Sequence, residues 1–317
     1  MDSARAVVFG LALGDALGWP VEFLQLTQIR ARYGREGITA PPDPALYTDD
    51  TQMSVAVAEA LAAEGDAGLE ALMGAVGRNF IAWKHDPITR TRAPGTTCVR
   101  GVNALELGAP WQEAGVKDSK GCGACMRVAP IGYFYQLAPD RLTEAARAQG
   151  WMTHRHPASD AACIGAAYLV KLALDGVAPA EFPNRLLSAT HGTAEEFTAA
   201  IQRVITAQDW PDEEAALSHI GPTRGGGWVA EEAVAMALYC VLKCPDDYVA
   251  AVRLGANISG DSDSVAAIAG GIMGARLGLS AIPPDWIARL ENHEYLAALA
   301  DRLAEKKAQM TNNQNDK

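Results

Sequence analysis

The chain has 317 residues, of which 49% are hydrophobic and 21% charged, and its net charge is −11 with a pI near 5.0. This length and balance are typical of a folded globular protein with a sizeable core, and they exclude an intrinsically disordered chain. The negative charge argues against binding to a nucleic-acid backbone, although backbone amides and a few cationic side chains would still accommodate a small phosphate ligand.

Helical periodicity dominates the chain from its start. The segment Gly14-Asp15-Ala16-Leu17-Gly18-Trp19-Pro20 is typical of a helix end closed by Gly and Pro, and Glu22 follows just beyond it. Apolar residues at three- and four-residue spacing after Asp50, and again from Leu69 to Phe80, predict two helices with one buried face each. Further helices are expected over about 160–175, 194–208, 229–243, 246–255, 262–277 and 284–304. Because alternating strands are absent and Ala is abundant, the sequence predicts an all-α fold.

Stretches rich in Gly, Pro and polar residues at 85–101, 117–132 and 221–227 predict the main loops. No linker-like stretch divides the chain, so we expect a single domain over residues 1–305. Segment 306–317 is polar, and we expect a disordered tail whose removal changes neither activity nor melting temperature.

The N-terminal stretch Val7–Leu17 is apolar, but Asp15 interrupts it and a single Arg precedes it, so we expect neither a signal peptide nor any run that spans a bilayer. Six cysteines in a chain of this length do not suggest a disulfide framework. A zinc site would require distant thiolates to converge, and buried reduced thiols are favoured over that arrangement of Cys122, Cys125, Cys240 and Cys244. The sequence therefore predicts a reducing, cytoplasmic location and no membrane partner.

Two short acidic clusters each open an Ala-rich helical run: Thr48-Asp49-Asp50-Thr51 and Gly260-Asp261-Ser262-Asp263-Ser264. A helix N-terminus suits a carboxylate because its free N–H groups and its dipole favour negative charge, so either cluster alone is compatible with an ordinary cap and first-turn acid. If the fold brings both clusters together, their carboxylates and hydroxyls form a hard-oxygen site that a multivalent cation would stabilise.

Three other features have both a structural and a functional interpretation. Glu22 is either a solvated surface group or, beside a cation, a ligand or general base. The Gly-rich turn Gly121–Arg127 offers amides that would cradle a diphosphate, but it lacks the dinucleotide and Walker patterns. His154 is either a satisfied structural residue or a catalytic one.

The order of these motifs along the chain is more specific than any one of them. Together they resemble the ADP-ribosylglycohydrolase family, in particular its group of dinitrogenase-reductase-activating glycohydrolases and ADP-ribosylarginine hydrolases, through Gly14–Glu22, Tyr47–Met53, Gly121–Gly132, Thr153-His154 and Gly260–Gly271. The resemblance covers about residues 4–280, and the pairing of Thr-Asp-Asp-Thr with Gly-Asp-x-Asp-Ser is its most specific part. It implies a compact orthogonal helix bundle with a binuclear metal cleft for two divalent cations, Mg²⁺ or Mn²⁺.

By motif position, the resemblance implies roles for individual residues. The implied metal ligands are Thr48, Asp49, Asp50, Asp261, Asp263 and Ser264. The implied substrate-binding residues are Ser119, Lys120, Gly121, Cys122 and Gly123 around the diphosphate, His154 near the ribose, and Gly95 and Thr96 in a second loop. Ser264 stands where many relatives have Thr, which changes little because either hydroxyl donates oxygen. Cys122 stands where many have Asn or Ser, which would weaken one polar contact to the ligand.

The implied reaction is hydrolysis of the glycosidic bond between ADP-ribose and a modified acceptor, through a transition state with oxocarbenium character. Asp49, Asp50 or Glu22 would take a proton from the attacking water or help the leaving group depart. A carboxylate bound to a metal is a weaker base than an unbound one, so Glu22 is the preferred candidate.

The acceptor is an ADP-ribosylated protein or a small ADP-ribose derivative, and its linkage stays open. Arginine-directed relatives tend to carry an acidic residue where this chain has Ala93, and Arg90 and Arg92 lie nearby in the sequence, with Asp86 as a substitute carboxylate. We slightly favour arginine over serine-linked, nucleobase-linked or free ADP-ribose derivatives. An ADP-ribose-binding module without turnover and another metal-dependent hydrolase on the same scaffold are the alternatives, and the expected state is a monomer.

Overall fold

The computed structural model describes residues 1–223 and 225–315, with side chains described up to residue 312. In this part of the chain the backbone forms 16 α-helices and one pair of very short strands. The helices are α1 (Asp2–Gly18), α2 (Leu26–Tyr33), α3 (Asp49–Glu64), α4 (Leu69–His85), α5 (Thr96–Glu106), α6 (Ala129–Phe134), α7 (Pro139–Trp151), α8 (Pro157–Leu174), α9 (Phe182–Ala189), α10 (Glu195–Ala207), α11 (Glu213–Ile220), α12 (Ala230–Lys243), α13 (Tyr248–Ala256), α14 (Ser262–Leu277), α15 (Pro284–Arg289) and α16 (His293–Asn315). Strand β1 (Val116–Lys117) pairs in parallel with β2 (His154–Arg155). The predicted all-α fold is confirmed.

The centre of the bundle is the antiparallel pair of α1 and α14. Glycines at four-residue spacing in α1, among them Gly14 and Gly18, let the two backbones come into direct contact. A Cβ on Gly14 would lie 2.1 Å from the carbonyl oxygen of Ala266, and a Cβ on Gly18 would lie 2.5 Å from the Cα of Asp263. Because a methyl group cannot fit at these distances, glycine sets the spacing, and the end of α1 meets the start of α14.

The remaining helices surround this pair. α8, α12 and α13 pack against α14, and α3, α6 and α16 pack against α1. Their buried apolar side chains form one cluster that runs from Ala4 in α1 to Met310 in α16. The structure thus supports the compact bundle that the resemblance implied.

Several element boundaries differ from the sequence predictions. The expected helix over 284–304 is split into α15 and α16, because Leu290 leaves the helical conformation and Asn292 has a φ of 54°, which Asn tolerates better than most residues. The expected loops at 85–101 and 117–132 contain the starts of α5 and α6. In the loop expected at 221–227, the described residues 221–223 and 225–227 are irregular, as predicted. Residue 224 lies outside the described residues.

The expected disordered tail is helical where the structure describes it. α16 crosses the expected domain boundary at residue 305 and continues to Asn315, while residues 316 and 317 lie outside the described residues. Lys307 Nζ donates to the carbonyl oxygen of Tyr133 at 2.7 Å, and Met310 is buried. Leu303, Lys307 and Met310 share one helix face that packs on the bundle, so a segment with few apolar residues still has enough of them, at helical spacing, to fold.

Two helical segments are long and apolar enough, by length and composition alone, to cross a membrane: Asp2–Val21 and Pro157–Leu174. This differs from the expectation that no run is long enough. In the structure 83% of the first apolar window and 72% of the second are buried inside the protein. Such burial is the usual state of a core helix in a globular protein, so the two segments are weak support for a membrane span.

Candidate metal and substrate site

Asp15, near the end of α1, anchors the first acidic cluster. Its carboxylate is fully buried and accepts hydrogen bonds from the backbone amides of Thr48 and Thr51, at 3.0 Å in each case, and from both threonine hydroxyls. The Thr48 hydroxyl also accepts a hydrogen bond from the Asp50 amide at 3.3 Å and so caps α3. These bonds fix the N-terminus of α3 against α1.

The two acidic clusters lie close enough for the charge of Asp261 to act on both Asp49 and Asp50. One carboxylate oxygen each from Glu22, Asp261 and Asp263 lie within 4.8 Å of one another, the spacing expected around a bound cation. Asp50 contributes a further buried oxygen, Oδ1, for which the described residues offer no hydrogen-bond donor. A buried carboxylate oxygen without a donor is costly unless a cation or ordered water occupies its free side.

Burial and mutual repulsion disfavour the charged form of these groups. Burial, followed by the charges of neighbouring carboxylates, raises the pKa of Glu22 to about 8. Burial raises the pKa of Asp49 to about 7, and it raises the pKa of Asp50 and of Asp263 well above the usual range. Burial also raises the pKa of Asp15 to about 6, although the threonine hydrogen bonds oppose the shift. A set of acids that cannot all ionise alone is suited to bind multivalent cations.

Asp49 is hydrogen-bonded to the loop before α5, and its charge also interacts with Glu22 and Asp261. Its amide donates to the Arg92 carbonyl at 3.1 Å, and its Oδ2 accepts from the Gly95 amide at 2.9 Å. Gly95 therefore lies beside Asp49. Thr96 lies exposed at the first residue of α5.

Cys122 connects the Gly-rich loop to the second acidic cluster. Its thiol donates to Asp261 Oδ2 at 2.9 Å and lies 3.5 Å from Ser264 Oγ. Its amide donates to the Trp228 carbonyl at 3.1 Å, which ties the loop to the start of α12. The loop is thus in contact with the implied ligands Asp261 and Ser264.

The rest of the Gly-rich loop is held by residues at both of its ends. Lys120 Nζ forms an ion pair with the buried Glu231 at the start of α12. Ser119 Oγ donates to the Thr97 hydroxyl at 3.4 Å, so this loop and α5 flank the same opening. Gly121 and Gly123 lie against the imidazole of His154: a Cβ on either would lie 3.1 Å from a ring atom. Among the predicted substrate-binding residues, Gly121 and Gly123 are therefore in direct contact with His154.

Two residues of this site were given no role by the sequence. Asp15 is part of the Gly14–Glu22 motif, and its signal is a carboxylate inside an apolar helix, where only a paired or hydrogen-bonded acid is tolerated. Arg127 ends the Gly-rich motif; it is fully buried and stacks over Phe80 with its Cζ 4.4 Å from the ring centre. A lone Arg in a sequence gives no sign of such burial.

The cysteines show no metal arrangement within residues 1–223 and 225–312. All six are free thiols, and the group of acidic, histidine and cysteine side chains whose spacing fits an ion is the one formed by Glu22, Asp261 and Asp263. Burial raises the pKa of Cys122 and of Cys125 well above the usual range, because it disfavours a thiolate.

Comparison with known proteins identifies the family to which the chain belongs. The model of the ADP-ribosylglycohydrolase family matches residues 1–313, and the chain is therefore a member of this family of hydrolases. The ADP-ribosyl-[dinitrogen reductase] glycohydrolase of Rhodospirillum rubrum is 29% identical over 305 residues, which cover 92% of this chain and 90% of the relative. The ADP-ribosylarginine hydrolase Tri1 of Serratia proteamaculans is 27% identical over 304 residues, which cover 96% of this chain and 79% of the relative.

A solved structure described as an ADP-ribosylglycohydrolase-related protein complex has the same fold. It superposes with a TM-score of 0.74 at 26% identity, and the match covers 96% of this chain and 98% of that one. The helix bundle implied by the sequence motifs is thereby confirmed.

Proposed function

We propose that this protein removes ADP-ribose from a modified acceptor by hydrolysing the glycosidic bond, and that two divalent cations, Mg²⁺ or Mn²⁺, take part. The observation that carries the proposal is the close group of Glu22, Asp261 and Asp263 beside Asp50, whose pKa is raised by burial and also by the charge of Asp261 and whose Oδ1 atom is unpartnered among the described residues. An ADP-ribose-binding module without turnover would need no such set of buried acids, whose mutual repulsion has to be offset.

The buried acids fit divalent cations because they offer hard oxygen atoms at ligand spacing. The proposed ligands are Thr48, Asp49, Asp50, Asp261, Asp263 and Ser264. Glu22 lies beside Asp261 and Asp263 and is kept outside this ligand set, because an unbound carboxylate is the stronger base. The chemistry that such cations supply is orientation of the ribose hydroxyls and a lower pKa for a bound water.

Glu22 is the proposed general base. Asp15 and Asp49 are held by hydrogen bonds from backbone amides, whereas no amide or side chain among residues 1–223 and 225–312 donates to the Glu22 carboxylate. Glu22 is also less buried than its acidic neighbours. A carboxylate that is both accessible and free of fixed donors can accept a proton from water, while the fixed ones position their surroundings.

Arginine remains the favoured acceptor. The objection from the sequence was the basic neighbourhood of Ala93, but Arg92 is turned inward, where its guanidinium pairs with Glu291 and donates to the Tyr47 carbonyl at 2.9 Å. This ion pair removes one of the two positive charges that would repel a guanidinium leaving group. The Serratia relative is an ADP-ribosylarginine hydrolase by name, which supports this preference.

Hydrolysis of synthetic peptides that carry ADP-ribose on arginine or on serine tests the proposal. We expect release of ADP-ribose, rather than AMP, that depends on Mg²⁺ and stops with EDTA. Asp261→Ala should abolish release while the circular dichroism spectrum stays helical, and Asp209→Asn, at an exposed position, serves as the control. Tight binding of ADP-ribose without release from either peptide would favour a binding module, and release of AMP would favour a different hydrolase.

The proposal extends to partners and location. The acceptor is an ADP-ribosylated protein or a small ADP-ribose derivative, with no nucleic-acid or membrane partner, and the protein acts as a monomer. Free cysteines throughout the chain support a reducing, cytoplasmic location.

A further inference from the structure

Arg127 is a buried cation whose guanidinium pairs with no carboxylate in the described part of the chain. Its Nε donates to the Gln149 side-chain oxygen at 2.6 Å, and its Nη1 donates to the Gly123 carbonyl at 2.9 Å. Its Nη2 donates to the Gln149 carbonyl at 3.0 Å and to the Thr153 hydroxyl at 2.9 Å. The guanidinium therefore links the Gly-rich loop to the residue that precedes His154.

The Thr153 hydroxyl joins Arg127 to the imidazole of His154. Since the guanidinium can only donate, the Thr153 oxygen accepts from it, and the hydroxyl proton needs an acceptor of its own. His154 Nδ1 lies 2.9 Å from that oxygen, whereas the Gly150 carbonyl lies 3.4 Å away, beyond the usual O–H···O range, and already accepts the Thr153 amide at 3.0 Å. The hydroxyl proton therefore points to Nδ1.

An Nδ1 atom that accepts a hydrogen bond leaves the imidazole proton on Nε2. Nε2 faces the Gly-rich turn, because a Cβ on Gly121 would lie 3.1 Å from it and one on Gly123 would lie 3.6 Å from it. The absence of side chains at both glycines leaves the space next to the N–H group of His154 unfilled by either residue.

We propose that Arg127, acting through the Thr153 hydroxyl, is a positioning residue that holds His154 as the neutral Nε2–H tautomer, so that His154 donates a hydrogen bond to an acceptor oxygen of ADP-ribose beside Gly121 and Gly123. The identity of the ligand rests on the proposed function, whereas the tautomer rests on the hydrogen bonds alone. Burial, with a smaller effect from the charge of Arg127, lowers the pKa of His154 to about 3, so the ring stays neutral at ordinary pH. A neutral donor of fixed orientation suits an uncharged hydroxyl as well as a phosphate oxygen.

Thr153 is the residue to change, because substitution of the fully buried Arg127 risks unfolding the chain. Thr153→Val removes the hydroxyl at nearly constant volume, and Thr153→Ser retains it as the matched control. Long-range ¹H–¹⁵N spectra of the imidazole nitrogens show which nitrogen carries the proton, and the signals missing from His154→Gln assign His154.

We expect the Nε2–H tautomer in the wild type and in Thr153→Ser, and loss of that preference in Thr153→Val. The Kd for ADP-ribose, measured by calorimetry, should rise about 2- to 10-fold in Thr153→Val and stay near the wild-type value in Thr153→Ser, because one neutral hydrogen bond loses its geometry. A wild-type proton on Nδ1, or unchanged tautomer and affinity in Thr153→Val, would overturn the proposal. If the wild type has the Nε2–H tautomer but does not bind ADP-ribose, the tautomer assignment stands, whereas ADP-ribose is excluded as the ligand and the proposed function is wrong.

Discussion

Asp15 shows how one buried side chain sets the geometry of a whole site. Its carboxylate is not part of the close group of Glu22, Asp261 and Asp263, yet its bonds to Thr48 and Thr51 place the start of α3. Thr48 is also the N-cap of α3, whose first turn carries Asp49 and Asp50. The first acidic cluster is therefore positioned from α1, the same helix that sets the spacing to the second cluster.

Asp15→Asn tests this arrangement with a change of only one group. An amide replaces an acceptor oxygen by a donor that faces other donors, so the free energy of unfolding should fall by about 3 kcal/mol, and hydrolysis should slow with it. Urea denaturation with an unchanged m value measures the loss. The exposed Asp209→Asn should leave the midpoint within experimental error, and equal midpoints for the two variants would show that Asp15 is not an anchor.

The buried carboxylates make stability depend on pH in a direction that can be derived. The folded-state pKa is about 6 for Asp15, about 7 for Asp49 and about 8 for Glu22, above the ordinary values of 3.8 and 4.5. Groups whose pKa is raised by folding contribute stability that is fully present below the ordinary pKa and is lost as pH rises through the folded value. The EDTA-treated protein should therefore lose stability as the pH rises from about 4 to about 8.

Mg²⁺ should reverse this loss, because it binds the deprotonated acids. We expect the rise in melting temperature on addition of Mg²⁺ to be larger at pH 8 than at pH 5. Asp263→Asn, which removes one acid of the close group, should reduce both the pH dependence without Mg²⁺ and the gain with Mg²⁺. An equal Mg²⁺ effect at both values of pH would contradict a site made from these carboxylates.

At the scale of the helices, the contact between α1 and α14 holds the two halves of the site together. Gly14→Ala places a methyl group 2.1 Å from the Ala266 carbonyl oxygen, so the helices have to separate. We expect a loss of about 3 kcal/mol in the free energy of unfolding and a displaced acidic site with weaker Mg²⁺ binding.

Gly77→Ala in α4 is the matched control, because a Cβ at Gly77 meets no atom within 4 Å. Helix propensity alone should then stabilise the protein by about 0.5–1 kcal/mol. Thermal or urea denaturation of both variants separates backbone contact from propensity. A Gly14→Ala variant as stable as Gly77→Ala would show that the close approach is not needed.

The sequence predicted these elements where the signal was local. The sequence located α10, α12 and α14 to within one residue at each end, and the motif order located both acidic clusters. The break between α15 and α16 was missed, because it depends on a left-handed Asn292 that a periodic pattern does not show. The roles of Asp15 and Arg127 were missed for a related reason: each follows from partners far along the chain or from burial, which a sequence does not display.

At the scale of the whole molecule, α16 closes the bundle by packing against α1 and α3. The part beyond residue 305 contributes to this packing in spite of its polar composition. Lys306 pairs with Asp66 at 2.6 Å, and Lys307 Nζ donates to the Tyr133 carbonyl. Met310 remains only 8% exposed. The polar end of α16 is therefore part of the folded structure, although its composition alone suggested disorder.

Truncation at two points distinguishes a packed helix end from a dispensable tail. A chain that ends at Glu305 loses the buried Met310 and the hydrogen bonds of Lys307, so its free energy of unfolding should fall by about 3 kcal/mol. A chain that ends at Asn312 retains both and should unfold at the wild-type urea concentration. Hydrolysis at low temperature should be similar in both chains, because the acidic clusters lie at the starts of α3 and α14 rather than on α16. Equal midpoints for the two truncated chains would show that residues beyond 305 contribute no stability, as expected for the disordered tail that the composition predicts.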